Sequence, residues 1–170
     1  ETNTWIYFIF GLLYLASLFI IAGIDKEKIQ IQKSVLLFGF VVQAIYIIYL
    51  YIVEKDFNIY RYVIYLTIIC ILMLIDIFIL RKKTKNSYTT EILLLCMLLL
   101  GFTYEINTIL SIIFTLLCIS FQLILKKIKE GKNKTVKKEN QTAKIPIAFY
   151  LCVSNIICLI LSNFYILANY

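Results

Sequence analysis

Long apolar stretches dominate the sequence and restrict its fold more than any other feature. They run almost without interruption, as in Val35 to Tyr46 and Ile92 to Phe102. Of the 170 residues, 62% are hydrophobic and 16% are charged, whereas soluble domains have about 45–50% apolar and about 25% charged residues. A soluble domain of this size exposes too much surface to hide so many apolar side chains. The composition therefore indicates an integral membrane protein and excludes a disordered chain.

The scarcity of turn residues predicts an all-α fold. The chain has one Pro and five Gly, and its apolar runs lack the alternation over about ten residues that marks a strand of a membrane β-barrel. A helix needs roughly 20 apolar residues to cross the bilayer core. We predict one membrane domain over residues 1–170 with six transmembrane helices, at Trp5–Ile24, Ser34–Val53, Ile59–Leu80, Thr90–Tyr104, Ile106–Leu125 and Ile145–Ala168.

The positive charges predict the orientation of these spans. Fifteen of the seventeen Lys and Arg residues follow the first, third or fifth span, and only Lys55 and Arg61 remain for the other side. Since cytoplasmic loops are enriched in Lys and Arg, we expect both termini outside and residues 126–144 to form a mobile basic cytoplasmic loop. If the short fourth span were fused with the fifth into one helix, this basic loop would lie outside and not in the cytoplasm. Because the charges lie in loops between apolar runs, we expect no nucleic-acid partner.

Neither a metal nor a cofactor is predicted. The chain has no His, and its five Cys all lie in apolar runs without a CxxC pair, so we interpret them as small apolar packing residues. The first span has no basic leader and no small-residue cleavage site. We therefore expect it to be a membrane span and not a signal peptide.

Carboxylates at the cytoplasmic ends of the spans are the candidate functional groups, because ionisable residues in membrane helices are costly. Asp25 closes the first span, Asp76 lies inside the end of the third, and Glu91 opens the fourth. Each also has a structural interpretation. Glu91 stabilises the helix N-terminus that it occupies, Asp76 pairs with Arg81 or a nearby lysine, and Asp25 pairs with a neighbouring lysine, Lys26 or Lys28.

Two carboxylates from different helices at one membrane depth can share a proton, because close like charges favour one protonated and one ionised group. The ionised group then takes a proton from water while the protonated group polarises a carbonyl. This chemistry, that of an aspartic peptidase, requires no His, Cys or metal.

Three stretches of the sequence resemble the motifs of the type IV prepilin peptidase family. Ile24–Ile29, followed by Leu36–Gly39, resembles the first motif, in which an Asp ends a helix on the cytoplasmic side. Tyr88–Leu94 occupies the place of the second motif, Gly-x-Gly-Asp, with Glu91 at the position of its Asp and 66 residues after Asp25. Lys144–Leu151 resembles the Ile-Pro-Phe-Gly-Pro-Phe-Leu stretch that enters the last helix.

The resemblance implies a membrane aspartic endopeptidase with Asp25 and Glu91 as its catalytic pair. Such an enzyme cuts the basic leader from a pilin-like precursor at the cytoplasmic face of a prokaryotic inner or plasma membrane. The paired CxxC zinc motifs of the family's methylating function have no counterpart in the chain, so cleavage without N-methylation is implied. The expected partners are the precursor and membrane lipids, whose anionic headgroups attract the lysine-rich loops.

Other interpretations follow from the positions at which the chain departs from the motifs of this family. Tyr88 and Thr90 replace the two glycines of the second motif, which favours a non-catalytic homologue that acts in membrane assembly or interaction. A small transporter or immunity-type protein ranks below it, because no span has paired charges at its midplane. Asp76 is the alternative second acid, ranked after Glu91.

Overall fold

The computed structural model describes residues 2–54, 57–76, 78, 88–103, 105–132 and 145–168. These residues contain no strand, which confirms the all-α prediction. Their helices are α1 (Thr2–Lys28), α2 (Lys33–Val53), α3 (Ile59–Ile75), α4 (Tyr88–Phe102), α5 (Glu105–Lys132) and α6 (Ile147–Ala168).

Four of these helices, α1, α2, α5 and α6, are long and apolar enough to cross a membrane. This supports the prediction of a membrane protein with transmembrane helices. The other two are also apolar but shorter, with 17 residues in α3 and 15 in α4. The apolar sequence of the predicted third span continues to Leu80, and residues 77, 79 and 80 lie outside the described part of the chain.

Polar contacts at the helix ends show that successive helices alternate in direction. At one end, the Tyr88 hydroxyl at the start of α4 bonds to Asp25 near the end of α1. At the other end, the Arg61 Nε atom at the start of α3 lies 2.8 Å from the Glu105 Oε1 atom at the start of α5. We call these the Asp25 end and the Glu105 end.

The fourth and fifth helices are separate, as the charge distribution predicts. α4 ends at Phe102 and α5 begins at Glu105. Between them, the Thr103 hydroxyl donates to the carbonyl oxygen of Leu99 at 2.7 Å and lies 2.9 Å from the Thr108 hydroxyl. α5 runs antiparallel to α6, and its Ser111 hydroxyl accepts a hydrogen bond from the Asn155 side chain of α6.

The apolar core lies mostly between α1, α4 and α6. Its fully buried members come from these three helices, namely Leu18, Ile21, Leu95, Leu98, Leu99, Ala148 and Cys152. The outer faces of α3 and α5 expose large apolar side chains, as expected where lipid replaces water as the solvent.

α5 is longer than the span predicted for it. α5 continues to Lys132, so residues 126–132 of the predicted mobile loop are helical. Lys and Glu have high helix propensity, which allows an existing helix to extend beyond its apolar part. Residues 133–144 lie outside the described part of the chain.

Small residues let α2 and α4 approach each other closely. A methyl group added at Gly39 would lie 2.9 Å from a Leu98 side-chain carbon, and one added at Gly101 would lie 1.1 Å from the Gln43 Nε2 atom. That same Nε2 atom donates to the backbone oxygen of Met97 at 3.4 Å. The contact at Gly101 therefore depends on the absence of a side chain.

We predict that Gly101→Ala destabilises the protein by about 1–3 kcal/mol, the usual cost of overpacking. The added methyl group displaces Gln43, which then loses its bond to Met97. The measurement is the thermal unfolding temperature of the purified protein in detergent. Gly23→Ala is the matched control, because a methyl group there has no neighbour within 4 Å. Equal unfolding temperatures for the two variants would contradict the described α2–α4 contact.

Candidate active site

The Asp25 carboxylate is fully buried, with 0% of the residue exposed, near the end of α1. Both of its oxygens accept hydrogen bonds from other helices. The Tyr88 hydroxyl donates to Oδ1 at 2.6 Å, and the backbone N–H of Phe149 donates to Oδ2 at 2.8 Å. One side chain thus joins the end of α1 to the starts of α4 and α6.

The start of α6 provides donors for this arrangement because the first N–H groups of a helix have no acceptor within the helix. Pro146 precedes α6 and has no N–H to satisfy. The N–H of Ala148 donates to the Tyr88 hydroxyl at 3.3 Å, and that of Phe149 donates to Asp25. A negative charge at a helix N-terminus is also favoured by the helix dipole. Asp25 therefore caps α6 from another helix.

The structural interpretation of Asp25 as an ion pair with Lys26 or Lys28 is wrong. Its carboxylate bonds to Tyr88 and Phe149 instead. Lys26 lies with its Nζ atom 5.6 Å from the centre of the Phe149 ring. The lysine therefore covers the ring next to the buried carboxylate without pairing with that carboxylate.

Asp76, the alternative second acid, is buried at the end of α3 with 4% of the residue exposed. The Thr90 hydroxyl donates to its Oδ2 atom at 2.7 Å. Arg81, the partner expected from the sequence, lies outside the described residues. Asp76 therefore contacts the same first turn of α4 that Asp25 contacts.

Glu91 lies in the first turn of α4 and is half-buried. It lines a groove of about 470 Å³ between α2 and α4, together with Lys33, Leu36, Leu37, Phe40, Thr90 and Leu94. We call this cavity the α2–α4 groove. The position in the first helical turn agrees with the stabilising role that the sequence predicts for an acid there.

The three acids surround one helical turn. Successive helix residues are rotated by about 100°, so Tyr88 and Thr90 project from nearly opposite sides of α4, and Glu91 projects between them. Asp25 thus lies on the Tyr88 side of Glu91, and Asp76 lies on the Thr90 side. Residues three apart, such as Tyr88 and Glu91, are neighbours on a helix surface. The structure brings Asp25 of α1 next to the first turn of α4, which contains Glu91. The direct contacts of the Asp25 carboxylate are with Tyr88 and Phe149.

Sequence reasoning missed the roles of Tyr88 and Thr90. Both occupy positions where the family motif has glycine, and both donate a hydroxyl hydrogen bond to a buried aspartate. The sequence offers one signal for these roles. Tyr88 and Thr90 are two residues apart, so on a helix their hydroxyls reach nearly opposite sides, and this helix begins close to acids from other spans. Side-chain contacts across 63 and 14 residues cannot be obtained from that spacing alone.

A second polar network, deeper in the bundle, also escaped the sequence analysis. The Tyr14 hydroxyl donates to Asn155 Oδ1 at 2.7 Å, and Asn155 Nδ2 donates to the Ser111 hydroxyl at 3.1 Å. These bonds connect α1, α6 and α5 within the apolar part of the chain. Polar side chains that bond across helices in this way stabilise helix association in membranes.

Among the described residues, no group of three or more His, Cys, Asp or Glu side chains is placed to hold a metal ion. Comparisons with protein-family models, with curated proteins and with solved structures find no match.

We predict that Tyr88→Phe lowers the free energy of unfolding by about 1–3 kcal/mol, since it leaves a buried acceptor on Asp25 unsatisfied. Thermal unfolding in detergent measures the effect. Tyr60→Phe is the matched control, because Tyr60 of α3 is 75% exposed and its loss should leave the unfolding temperature unchanged. Unchanged stability in Tyr88→Phe would show that the hydroxyl does not support the carboxylate.

Proposed function

We propose that the protein is a membrane aspartic endopeptidase resembling prepilin leader peptidases. In this proposal it cuts the basic leader from a pilin-like precursor at the cytoplasmic face of a prokaryotic plasma membrane, with Asp25 and Glu91 as the catalytic pair. One observation carries the proposal. The three stretches on which the resemblance depends are distant in sequence, yet all contribute to the hydrogen bonds among Asp25, Tyr88, Ala148 and Phe149.

The proposed topology has six spans with both termini outside. The segments that follow the first, third and fifth predicted spans carry fifteen of the seventeen Lys and Arg residues, and α1 and α3 finish at the Asp25 end. Since positive loops stay in the cytoplasm, the acids would face the cytoplasm, where an uncleaved basic leader also lies.

The proposed reaction is hydrolysis of one peptide bond. Each carboxylate oxygen has two acceptor positions, so the bonds from Tyr88 and Phe149 leave Asp25 able to bind a water. The ionised member of the pair takes a proton from this water, and the hydroxide adds to the scissile carbonyl carbon. The protonated member donates its proton to that carbonyl oxygen. The member that took the water's proton then gives it to the amide nitrogen as the C–N bond breaks, and a hydroxyl of the intermediate returns a proton to the other member. The products are a leader with a new carboxyl group and a mature chain with a new amino group.

A non-catalytic assembly or interaction protein is the second candidate, and a specific observation favours it. Tyr88 and Thr90 stand in place of glycines, whose lack of a side chain permits close approach of another chain. Their hydroxyls are used to bond Asp25 and Asp76. The same contacts would hold the helix bundle together in a protein without activity.

We predict that Asp25→Asn abolishes cleavage of a co-expressed pilin-like precursor and leaves the protein folded. The amide oxygen can accept from the Phe149 N–H, while the amide nitrogen can donate to the Tyr88 hydroxyl. Glu91→Gln should also abolish cleavage, and Glu91→Asp should retain it or increase it. The measurement is the mass of the precursor in the membrane fraction.

Asp76→Asn tests the assignment of the second acid. The Asn side chain still offers an oxygen to the Thr90 hydroxyl, so under the proposed pairing cleavage continues. Loss of cleavage in Asp76→Asn but not in Glu91→Gln would move the second catalytic role to Asp76. Absence of cleavage by the unmodified, folded protein would favour the non-catalytic candidate.

A further inference from the structure

The hydrogen bonds that lead to the Asp25 side chain form a chain with a single direction. A backbone N–H can only donate, so the bond from the Ala148 N–H makes the Tyr88 hydroxyl oxygen an acceptor. The hydroxyl hydrogen of Tyr88 is then donated to Asp25 Oδ1 at 2.6 Å. The Phe149 N–H donates to Oδ2 at 2.8 Å. Both carboxyl oxygens of Asp25 are therefore acceptors.

A proton on the Asp25 carboxyl group would disturb this chain. A protonated carboxyl group needs an acceptor for its own hydrogen, whereas the two groups described above both donate to Asp25. If Asp25 donated to Tyr88 instead, the hydroxyl hydrogen of Tyr88 would lose its acceptor, which costs free energy in a site shielded from water. The donor and acceptor pattern therefore favours the ionised form of Asp25.

The surroundings of the Asp25 carboxylate replace an ion pair with hydrogen bonds. The residue is 0% exposed, and a buried carboxylate is costly unless it is paired and hydrogen-bonded. The Lys26 ammonium lies over the Phe149 ring and does not pair with the carboxylate. Two charge-assisted hydrogen bonds and the positive end of the α6 dipole stabilise the negative charge instead.

We propose that Asp25 is the base that takes the proton from water, and that Tyr88 is its positioning residue. This inference rests on the proposed function and assigns a role that the catalytic pair leaves open. One O–H bond of water breaks, its proton bonds to an Asp25 oxygen, and the hydroxide adds to the scissile carbonyl carbon. The other acid supplies the proton for the carbonyl oxygen. Tyr88 neither gains nor loses a proton, because its hydroxyl only holds the carboxylate in one orientation.

This positioning role is specific to the present chain. The second motif of the resembled family has glycine where this chain has Tyr88, and a glycine has no hydroxyl to donate. The role therefore follows from the contacts of Tyr88 with Asp25 and with the start of α6.

The first test uses kinetics to separate positioning from stability. In Tyr88→Phe, kcat for cleavage of a purified pilin-like precursor should fall about 10²-fold, a typical cost of a misplaced catalytic group, while KM stays unchanged. Tyr14→Phe is the matched control, because it also removes a buried tyrosine hydroxyl that donates to a side-chain oxygen, Oδ1 of Asn155 at 2.7 Å. Its kcat should equal that of the unmodified protein. Both variants are assayed below their unfolding temperatures.

The kinetic outcomes distinguish the positioning role from the activity itself. An unchanged kcat in Tyr88→Phe, or equal losses of kcat in the two tyrosine variants, would overturn the positioning role and leave the peptidase proposal intact. Absence of cleavage by the unmodified, folded protein would reject the proposed function and, with it, the role of Asp25 as a base.

The second test requires no precursor and uses infrared spectroscopy of the purified protein at neutral pH. A protonated carboxyl group has a C=O stretching band that an ionised carboxylate lacks. We expect Asp25→Asn to lose carboxylate absorption and to keep the protonated-carboxyl band of the unmodified protein. Loss of intensity from the protonated-carboxyl band would show that Asp25 carries a proton, and would overturn its assignment as the base even if the variant no longer cleaves the precursor.

Discussion

The arrangement of the helix ends depends on the hydrogen bonds that the buried Asp25 carboxylate accepts. It accepts one hydrogen bond from the Tyr88 hydroxyl and one from the Phe149 N–H, and so connects α1 to α4 and α6. A buried carboxylate that loses such a partner is left with an unsatisfied acceptor. The carboxylate therefore depends on the tyrosine hydroxyl and on the N–H at the start of α6, and its bond to Tyr88 brings it next to the turn of α4 that also contains Glu91.

Other polar contacts support this junction from the rest of the bundle. The Arg61–Glu105 ion pair joins α3 to α5 at the opposite end, and the Asn155 network joins α1, α5 and α6 between the two ends. Contacts at Gly39 and Gly101 bring α2 against α4 at a deeper level. Beside α4 at the Asp25 end, the α2–α4 groove is left open. The packing therefore leaves an accessible groove that Glu91 helps to line.

The sequence predicts the class of fold well and the side-chain partners poorly. The length and continuity of the apolar runs are sufficient to predict the helices, and the distribution of lysines is sufficient to predict that α4 and α5 are separate. Both signals can be read directly along the chain, without knowing which helices pack together. The partners of Asp25 and Asp76 are different. Neighbouring lysines or an arginine are the obvious choices from the sequence, whereas the structure uses Tyr88, Phe149 and Thr90. Such contacts depend on how helices distant in sequence pack, and composition carries no information about that packing. Helix propensity also extended α5 to Lys132, past the end of its apolar pattern.

We propose that the acids at the Asp25 end hydrolyse a peptide bond by activating water. This proposal is tested most directly by reconstituting the purified protein with a purified pilin-like precursor in liposomes prepared in ¹⁸O-labelled water. Our account predicts that the released leader carries one ¹⁸O atom in its new carboxyl group, and that no leader is released when Asp25→Asn replaces the unmodified protein. An intact precursor after incubation with the folded, unmodified protein would contradict the account, as would equal release of leader by the Asp25→Asn variant.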